Sequence, residues 1–313
     1  MKRKRALRRK KIRIIILMIV LIVIGIYGYH YTNQDSYQLA KIGYQTKEIN
    51  DLLKLDHDKI AVALKHDYHT HIPALLKEQY VIPAYLDRYL NYQKKHPELS
   101  MAMVVTMVNV NRDRDYYQQP KKTDTKKQTI MLVNKYYALT NDYTPQNLVT
   151  ISNQYSYGEN AVIKEVYDHY MDMYQAAKQQ GLNLIVTSSY RDYEYQDELW
   201  KHYKAQQGQA WADSISARPG HSEHQTGLTL DIATYGSVFN DFTDTEEFKW
   251  MQEHAHQYGF ILRYPEGKEE ITGYDYESWH YRYVGVDVAT KIKELKITFD
   301  EYYAYYIEHN KNS

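Results

Sequence analysis

The 313-residue chain contains no cysteine. Disulfide scaffolds, thiolate zinc fingers, cysteine nucleophiles and a lipoprotein anchor are excluded together. Phenylalanine is scarce, 5 residues against 35 tyrosines. Tyrosine packs apolar area while its hydroxyl stays wet or hydrogen-bonded, which suits polar clefts. No Gly-rich phosphate loop, internal repeat or regular βαβ alternation is present. No acid precedes Asp35, whereas nine basic residues fall between Lys2 and Arg13. The totals balance at 39 basic and 39 acidic, so the chain beyond that leading run is acidic by nine. A basic nucleic-acid-binding body is therefore excluded. Hydrophobic residues make up 43%, enough for one or two buried cores and too much for a disordered chain.

What is present begins with an uncharged apolar run, IIILMIVLIVIGIYGYHY, residues 14–31. As a helix it would span roughly 27 Å, close to the ~30 Å hydrocarbon core of a bilayer. Tyr27, Tyr29 and Tyr31 then fall where an aromatic belt sits, and the basic flank predicts a cytoplasmic N-terminus with the rest outside. The rival reading, a cleaved signal peptide, lacks a small-x-small cleavage pattern after the run. The expectation is an uncleaved single-pass anchor.

Residues 36–100 show three- and four-residue apolar spacing broken by Pro73 and Pro83, predicting short helices. MAMVVTMVNV (101–110) reads as a buried strand or short helix. QQPKKTDTKKQ (118–128) has linker composition and predicts a boundary. HDYHTH places His66, His69 and His71 together, a spacing too loose to single out a metal site. Beyond 128 the pattern changes. TIMLVNKYYAL predicts a strand. Residues 159–181, 192–208 and 245–259 predict helices, each ending in Gly. LNLIVTSSYR, LTLDIAT, FILRYP and WHYRYVG predict strands. Helices and short strands without a βαβ rhythm favour an α+β domain. The expected organisation is a basic segment 1–13, an anchor 14–31, a mostly helical region and linker 32–127, a catalytic-type domain 128–290 and a helical tail 291–313.

Chemistry concentrates in ARPGHSEHQTGLTLDIA (217–233) and in Glu277-Ser278-Trp279-His280. His224, Asp231 and His280 make a three-ligand set that leaves zinc an open position. In an ideal strand His224 and Asp231 would face opposite ways, because seven is odd. A turn near Gly227 removes that conflict. A carboxylate inside LTLDIA is costly without a partner. Glu277, three residues before His280, is placed as a general base. On residues alone, an ordinary hydrogen-bonded cluster is the competing reading.

SSYRDYEYQ (188–196), the 217–233 segment, YGFILRYPEGKEEITG (258–273) and ESWHYRYVG (277–285) resemble the four blocks of the VanY-type D-alanyl-D-alanine carboxypeptidases, zinc peptidases of bacterial cell-wall metabolism. The resemblance covers about residues 128–290. It implies a small antiparallel sheet flanked by helices, and one zinc held by His224, Asp231 and His280. It further implies Glu277 as catalytic base, Arg191 as the cation at the scissile carbonyl, and Ser222 as a substrate contact. Gln196 and Tyr190 join Arg191 and Ser222 as candidate substrate-binding residues, with Gln196 also able to orient the Arg191 loop. Arg191 has a rival role, a salt bridge to Asp192 or Glu194. Arg263 and Arg282 read as structural ion pairs. Thr229 stands where the family usually has Ala. The implied substrate is the peptidoglycan stem peptide, cut before its terminal D-Ala, at the outer face of the cell membrane. L,D-carboxypeptidase action on tetrapeptide stems is the alternative. A noncatalytic zinc-stabilised wall-binding module is a third reading, which has no use for Glu277.

Overall fold

The computed structural model describes the backbone of residues 2–32, 34–236 and 239–308, and their side chains except at 2–13, 28, 30, 32, 239 and 240. The chain forms two compact units, Met1–Val108 and Asn109–Ser313.

The first unit is helical: α1 (Lys2–Thr32), α2 (Asp35–Ile42), α3 (Thr46–Leu52), α4 (His57–Ala63), α5 (Ile72–Lys77), α6 (Leu86–Lys95) and α7 (Met101–Asn109). Pro73 lies in the first turn of α5, where a missing N–H costs nothing. Leu39, Leu52, Leu75, Leu76 and Tyr89 are fully buried. The 101–110 segment takes the helical alternative. The side chains of the basic segment 1–13 lie outside the described set. Residues Ile14 to Ile26 leave large apolar side chains about half exposed along α1. Among the described residues, no helix is long and apolar enough to cross a membrane.

The second unit carries the sheet. Its elements are β1 (Lys121–Lys122), β2 (Tyr137–Ala138), β3 (Leu148–Ile151), β4 (Asn160–Ile163), α8 (Lys164–Gln179), β5 (Ile185–Ser188), α9 (Tyr193–Gln207), α10 (Gln209–Ile215), β6 (Thr229–Ala233), α11 (Glu246–His254), β7 (Phe260–Tyr264), α12 (Glu269–Thr272), β8 (Glu277–Tyr283), α13 (Val286–Leu295) and α14 (Phe299–Tyr302). The main sheet runs β5-β6-β8-β7, antiparallel throughout. The amphipathic α8 buries Val166, Tyr170, Met173 and Ala177 at helical spacing, next to Val186, Leu230 and Ile232 of the sheet. Every residue of β6 is buried: Leu230 and Ile232 face the core, and Thr229 and Asp231 alternate with them.

Four expectations change. The boundary falls at Val108/Asn109, not in 118–128. The lysine-rich stretch lies inside the second unit because Lys121–Lys122 pair in parallel with Tyr137–Ala138, and Thr123 Oγ1 donates to the buried Leu132 carbonyl at 2.9 Å. TIMLVNKYYAL is not one strand: a 3-10 turn occupies Thr125–Ile130 and only Tyr137–Ala138 pair. The 159–181 helix starts at Lys164, since Asn160–Ile163 form a strand that pairs with β3. The tail is integral to the unit, with Phe299 and Tyr303 buried beside Ile261 and Ala289.

The turn at Gly227 exists as expected. A 3-10 turn, Glu223–Thr226, ends on Gly227 at φ 68°, and β6 starts two residues on. A Cβ there would lie 3.1 Å from Ile163 Cγ2 and 3.2 Å from Leu148 Cδ2 and Pro145 Cγ. Gly227→Ala should lower stability by more than about 1 kcal/mol, through backbone strain plus crowding. Urea denaturation monitored by tyrosine fluorescence measures this; an unchanged midpoint would mean the left-handed turn is not required.

Candidate active site

Sheet register assembles the site. Asp231 on β6 lies opposite His280 on β8 and opposite Ser188 on β5, so one row crosses three strands. The row depends on two irregularities. Between Val186 and Ser188, two residues of β5 advance against one of β6. Between Leu262 and Tyr264, two residues of β7 advance against four of β8, from Tyr281 to Glu277. In a regular strand Glu277 and His280, three apart, would face opposite sides. The bulge brings Glu277 Oε2 to 3.2 Å from His280 Nδ1.

The Gly227 turn delivers His224. Its Nδ1 lies 2.6 Å from the Ser189 carbonyl, which fixes that nitrogen as the donor and leaves Nε2 as an acceptor. Nε2 is 3.4 Å from Asp231 Oδ1, and His280 Nδ1 is also 3.4 Å from that oxygen. The two rings stand nearly perpendicular, centroids 5.0 Å apart. Asp231 Oδ1 is buried and accepts no hydrogen bond. Two ligand atoms, each about 2.05 Å from a tetrahedral zinc, would be about 3.3 Å apart. The donor set therefore fits zinc: two imidazole nitrogens, one orphaned carboxylate oxygen and an approach from the cleft. His224, Asp231 and His280 are the one group among the described residues with this convergence. The His66/His69/His71 cluster lacks it: His66 instead meets Asp87 at 3.3 Å.

The electrostatics agree. Burial, reinforced by Arg191, lowers the His224 imidazole to about 4, so it is neutral. Burial would lower His280 too, but Glu223, Glu277 and Asp231 override it and hold it up at about 9. Burial would raise Asp231, yet the two imidazoles and Arg191 hold it down at about 2. Burial pushes the Glu277 carboxyl up, against the pull of His280.

Arg191 lines the same cleft. Its Nη1 donates to Ser188 Oγ at 2.9 Å and lies 3.8 Å from Asp231 Oδ2, and its Nε donates to Gln196 Oε1 at 3.1 Å. The expected rival partner Asp192 instead caps α9 by accepting from Tyr195 N. Ser222, Tyr203, Ile215, Tyr264 and Trp279 also line this space, whose volume is about 130 Å³. Two substrate-binding candidates fall elsewhere. Gln196 is 1% exposed and does not line the cleft; its amide donates to Ser216 Oγ and the Ala217 carbonyl, so it fastens Arg191 to the cleft wall. Tyr190 lines a separate surface depression with Asn153, Glu159 and Asn160, because its strand neighbour Ser189 turns the opposite way to bond Asn160. Thr229 is fully buried with an unpaired Oγ1, in register with Arg282 and away from the reacting groups.

Sequence reasoning missed Glu223. It lies behind His280, with Oε2 3.6 Å from His280 Nε2. Its other oxygen, Oε1, accepts from Arg263 Nε and Arg282 Nη1, both at 2.8 Å. Arg263 also donates to Asp300 at 2.6 Å. All four side chains are essentially inaccessible. Burial would raise Glu223, but the two guanidinium groups hold it well below the usual range. The signal was in the strands: two arginines in FILRYP and WHYRYVG, set among apolar residues, require buried acids.

The comparisons with known proteins follow this geometry. A family model described as VanY, D-alanyl-D-alanine carboxypeptidase, matches residues 159–286. The Bacillus subtilis (strain 168) protein YodJ is 38% identical over 204 residues, 61% of this chain and 75% of that one. The chain belongs to the VanY family. As a VanY-family protein it is a carboxypeptidase, and the noncatalytic reading falls away. The solved LdcB LD-carboxypeptidase is similar at 38% identity and TM-score 0.57, over 61% of this chain and 94% of that one. The vancomycin-resistance D,D-pentapeptidase VanY from a VanB-type cassette, solved with Zn(II), is similar at 35% identity and TM-score 0.50, over 56% and 98%.

Glu223→Gln keeps shape and removes the charge that neutralises two buried guanidinium groups. Breaking a buried pair in this way costs about 3–5 kcal/mol. Chemical denaturation of the two proteins measures the difference; a loss below about 1 kcal/mol would show that Asp300 alone compensates both arginines.

Proposed function

We propose that this VanY-family chain is a zinc-dependent carboxypeptidase that removes the terminal D-Ala from peptidoglycan stem peptides, and that residues 14–31 hold it at the outer face of the cell membrane. The observation that carries the chemistry is the unpaired Asp231 Oδ1, 3.4 Å from both His224 Nε2 and His280 Nδ1, with Glu277 beside them.

His224 Nε2, Asp231 and His280 Nδ1 would hold one zinc. When bound, zinc lowers the pKa of a coordinated water from 15.7 to roughly 7 and polarises a carbonyl. Glu277 takes the proton of the attacking water and returns it to the departing amine. Burial raises its carboxyl, which suits a group that must both accept and release a proton. Arg191, clamped by Ser188 and Gln196, faces the developing oxyanion; one such donor is worth ~10²–10³ in rate. Glu223 takes no part in proton transfer. It sets the ring plane of His280 from behind, as carboxylates behind metal-bound histidines do.

His224→Ala, Asp231→Ala and His280→Ala should each lose zinc and activity, while Glu277→Gln should keep about one zinc per chain and lose ~10²–10⁴ in kcat. Elemental analysis beside a stem-peptide assay reads both quantities. Zinc loss in Glu277→Gln would make Glu277 a ligand, and chelator-resistant activity would end the zinc reading.

D,D-cleavage of pentapeptide stems is supported by the family's description and by the likeness to the D,D-pentapeptidase. The L,D reading, in which a tetrapeptide becomes a tripeptide, is favoured by the fuller overlay on LdcB. The two bonds differ in the chirality of the residue before the cut, so a fixed site takes one clearly over the other. With both stems in one tube, mass spectrometry should show tetrapeptide accumulating from pentapeptide. Tripeptide beside intact pentapeptide would overturn the D,D reading and leave the zinc chemistry standing.

The anchor rests on the apolar run and its basic flank. Protease added to intact protoplasts should degrade the second unit. A protected unit, or a soluble chain with a new N-terminus near residue 32, would contradict it.

A further inference from the structure

The wall of the cleft that holds Arg191 and the candidate metal ligands has a seam. On one side are the end of α10 and the residues after it, Ile215, Ser216 and Ala217; on the other is Tyr274, between α12 and β8. Of the seven residues of α10 only Ala212 is buried, so packing alone holds that side weakly. The side chain of Asp213 ties α10 back to its own hairpin, accepting from Trp200 Nε1 of α9 at 3.0 Å and from Arg218 Nε at 2.9 Å and Nη2 at 2.7 Å. Among the described residues one backbone hydrogen bond crosses the seam, Asp275 N to the Ser214 carbonyl at 3.4 Å.

Lys135 spans the seam from behind without lining the cleft. Its Nζ donates to the Asp213 carbonyl at 2.6 Å, on α10, and to the Gly273 carbonyl, next to Tyr274. The Tyr274 and Tyr116 ring centroids lie 4.3 and 4.5 Å from the ammonium, and that of Tyr117 lies at 5.9 Å. Its own backbone is fixed: the Lys135 carbonyl accepts from Tyr117 N at 3.0 Å, and the preceding Asn134 donates to Asp300 at 2.7 Å. Lys135 is 3% exposed. Of the charged groups facing it, Asp213 and Asp275 oppose Arg112 and Arg218, while burial keeps the Tyr117 and Tyr274 hydroxyls protonated. Burial lowers its ammonium to about 8. Keeping a cation inside at such a cost points to what it joins.

We propose that Lys135 is a positioning residue for the stem-peptide reaction: by bridging Asp213 and Gly273 it fixes the width of the cleft and restricts the substrate's terminal residue to one the size of alanine. This rests on the carboxypeptidase reading, because an enzyme that removes a chain end must enclose that end.

The test measures kcat/KM for stems ending in D-Ala and in D-Leu, with the full-length chain and with Lys135→Met, at pH 7 and about pH 9.5, either side of the Lys135 transition. Methionine matches the length of the stem, and apolar substitutes for a buried charge generally fold. Misfit in an apolar pocket discriminates roughly 10–200-fold, so the unaltered chain should prefer D-Ala by about 100-fold at pH 7. In Lys135→Met that preference should shrink about 10-fold with zinc content unchanged. Amide exchange over residues 209–217 and 273–276 should be at least ~10-fold faster, as the seam opens locally. Groups that perform the chemistry act on both substrates alike and cancel in the ratio. Between the two pH values the unaltered chain should therefore lose preference as Lys135 deprotonates, and Lys135→Met should not change. If the variant does not fold, the pH series on the unaltered chain decides. An unchanged preference in the folded variant, an unchanged preference at the higher pH, or unaltered exchange would each overturn the proposal. Equal losses with both substrates would do so too, as a sign of general damage. An unaltered chain that releases no terminal residue would instead defeat the carboxypeptidase reading, and exchange would still decide whether Lys135 holds the seam.

Discussion

Two arginines with no solvent access have to be neutralised inside the second unit, and much of its architecture answers to that requirement. Arg263 sits on β7 and Arg282 on β8, both side chains inaccessible. Glu223 bridges them, and Asp300 completes Arg263. Because Glu223 belongs to the turn that carries His224, the cluster ties that turn to two strands and to α14. A buried charge network of this kind is weak support for stability, since an apolar substitute packs as well. Its contribution is positional: one carboxylate locates the His224 turn, faces the outer nitrogen of His280, and is itself held rigidly by two planar forks.

The candidate metal-ligand residues were legible because their chemistry is incompatible with their surroundings. Asp231 inside an apolar strand needed a partner, and His224 with His280 were the groups of the right type. The turn at Gly227 followed from parity. Gln196 orients Arg191, the second of its two expected roles, and Tyr190 faces away from the cleft, because a motif says which residues are near the site and not which way each faces. Tyr190 and Arg191 are sequence neighbours, yet one lines the surface depression and the other the cleft. Glu223 escaped notice between Ser222 and His224. Its meaning depends on Arg263 and Arg282, 40 and 59 residues away, and no local pattern links them.

The same limit explains the misplaced boundary. QQPKKTDTKKQ has a linker's composition, but Lys121 and Lys122 form a short edge pair with exposed side chains. Composition reports side-chain solvation, and here solvated side chains ride on a backbone that is hydrogen-bonded to Tyr136 and Ala138. The tail was expected to be helical and is, and its Asp300 reaches back to neutralise Arg263.

The bulge in β8 links fold to chemistry most directly. A base must reach the metal-side water, whereas a fourth ligand would close the site. In a regular strand a residue three before His280 points to the opposite face, with Tyr281. The register of β8 is irregular between the Leu262 and Tyr264 pairings, and there Glu277 lines the cleft beside His280. Its carboxylate lies 3.2 Å from His280 Nδ1, beside the row of His224, Asp231 and His280 rather than within it. The three candidate ligand atoms are set by the regular Asp231–His280 pairing and the Gly227 turn, and the candidate base Glu277 sits at an irregularity of the strand. The proposed metal binding and proton transfer thus rest on separable features of one strand, the Asp231–His280 pairing and the irregular stretch that carries Glu277.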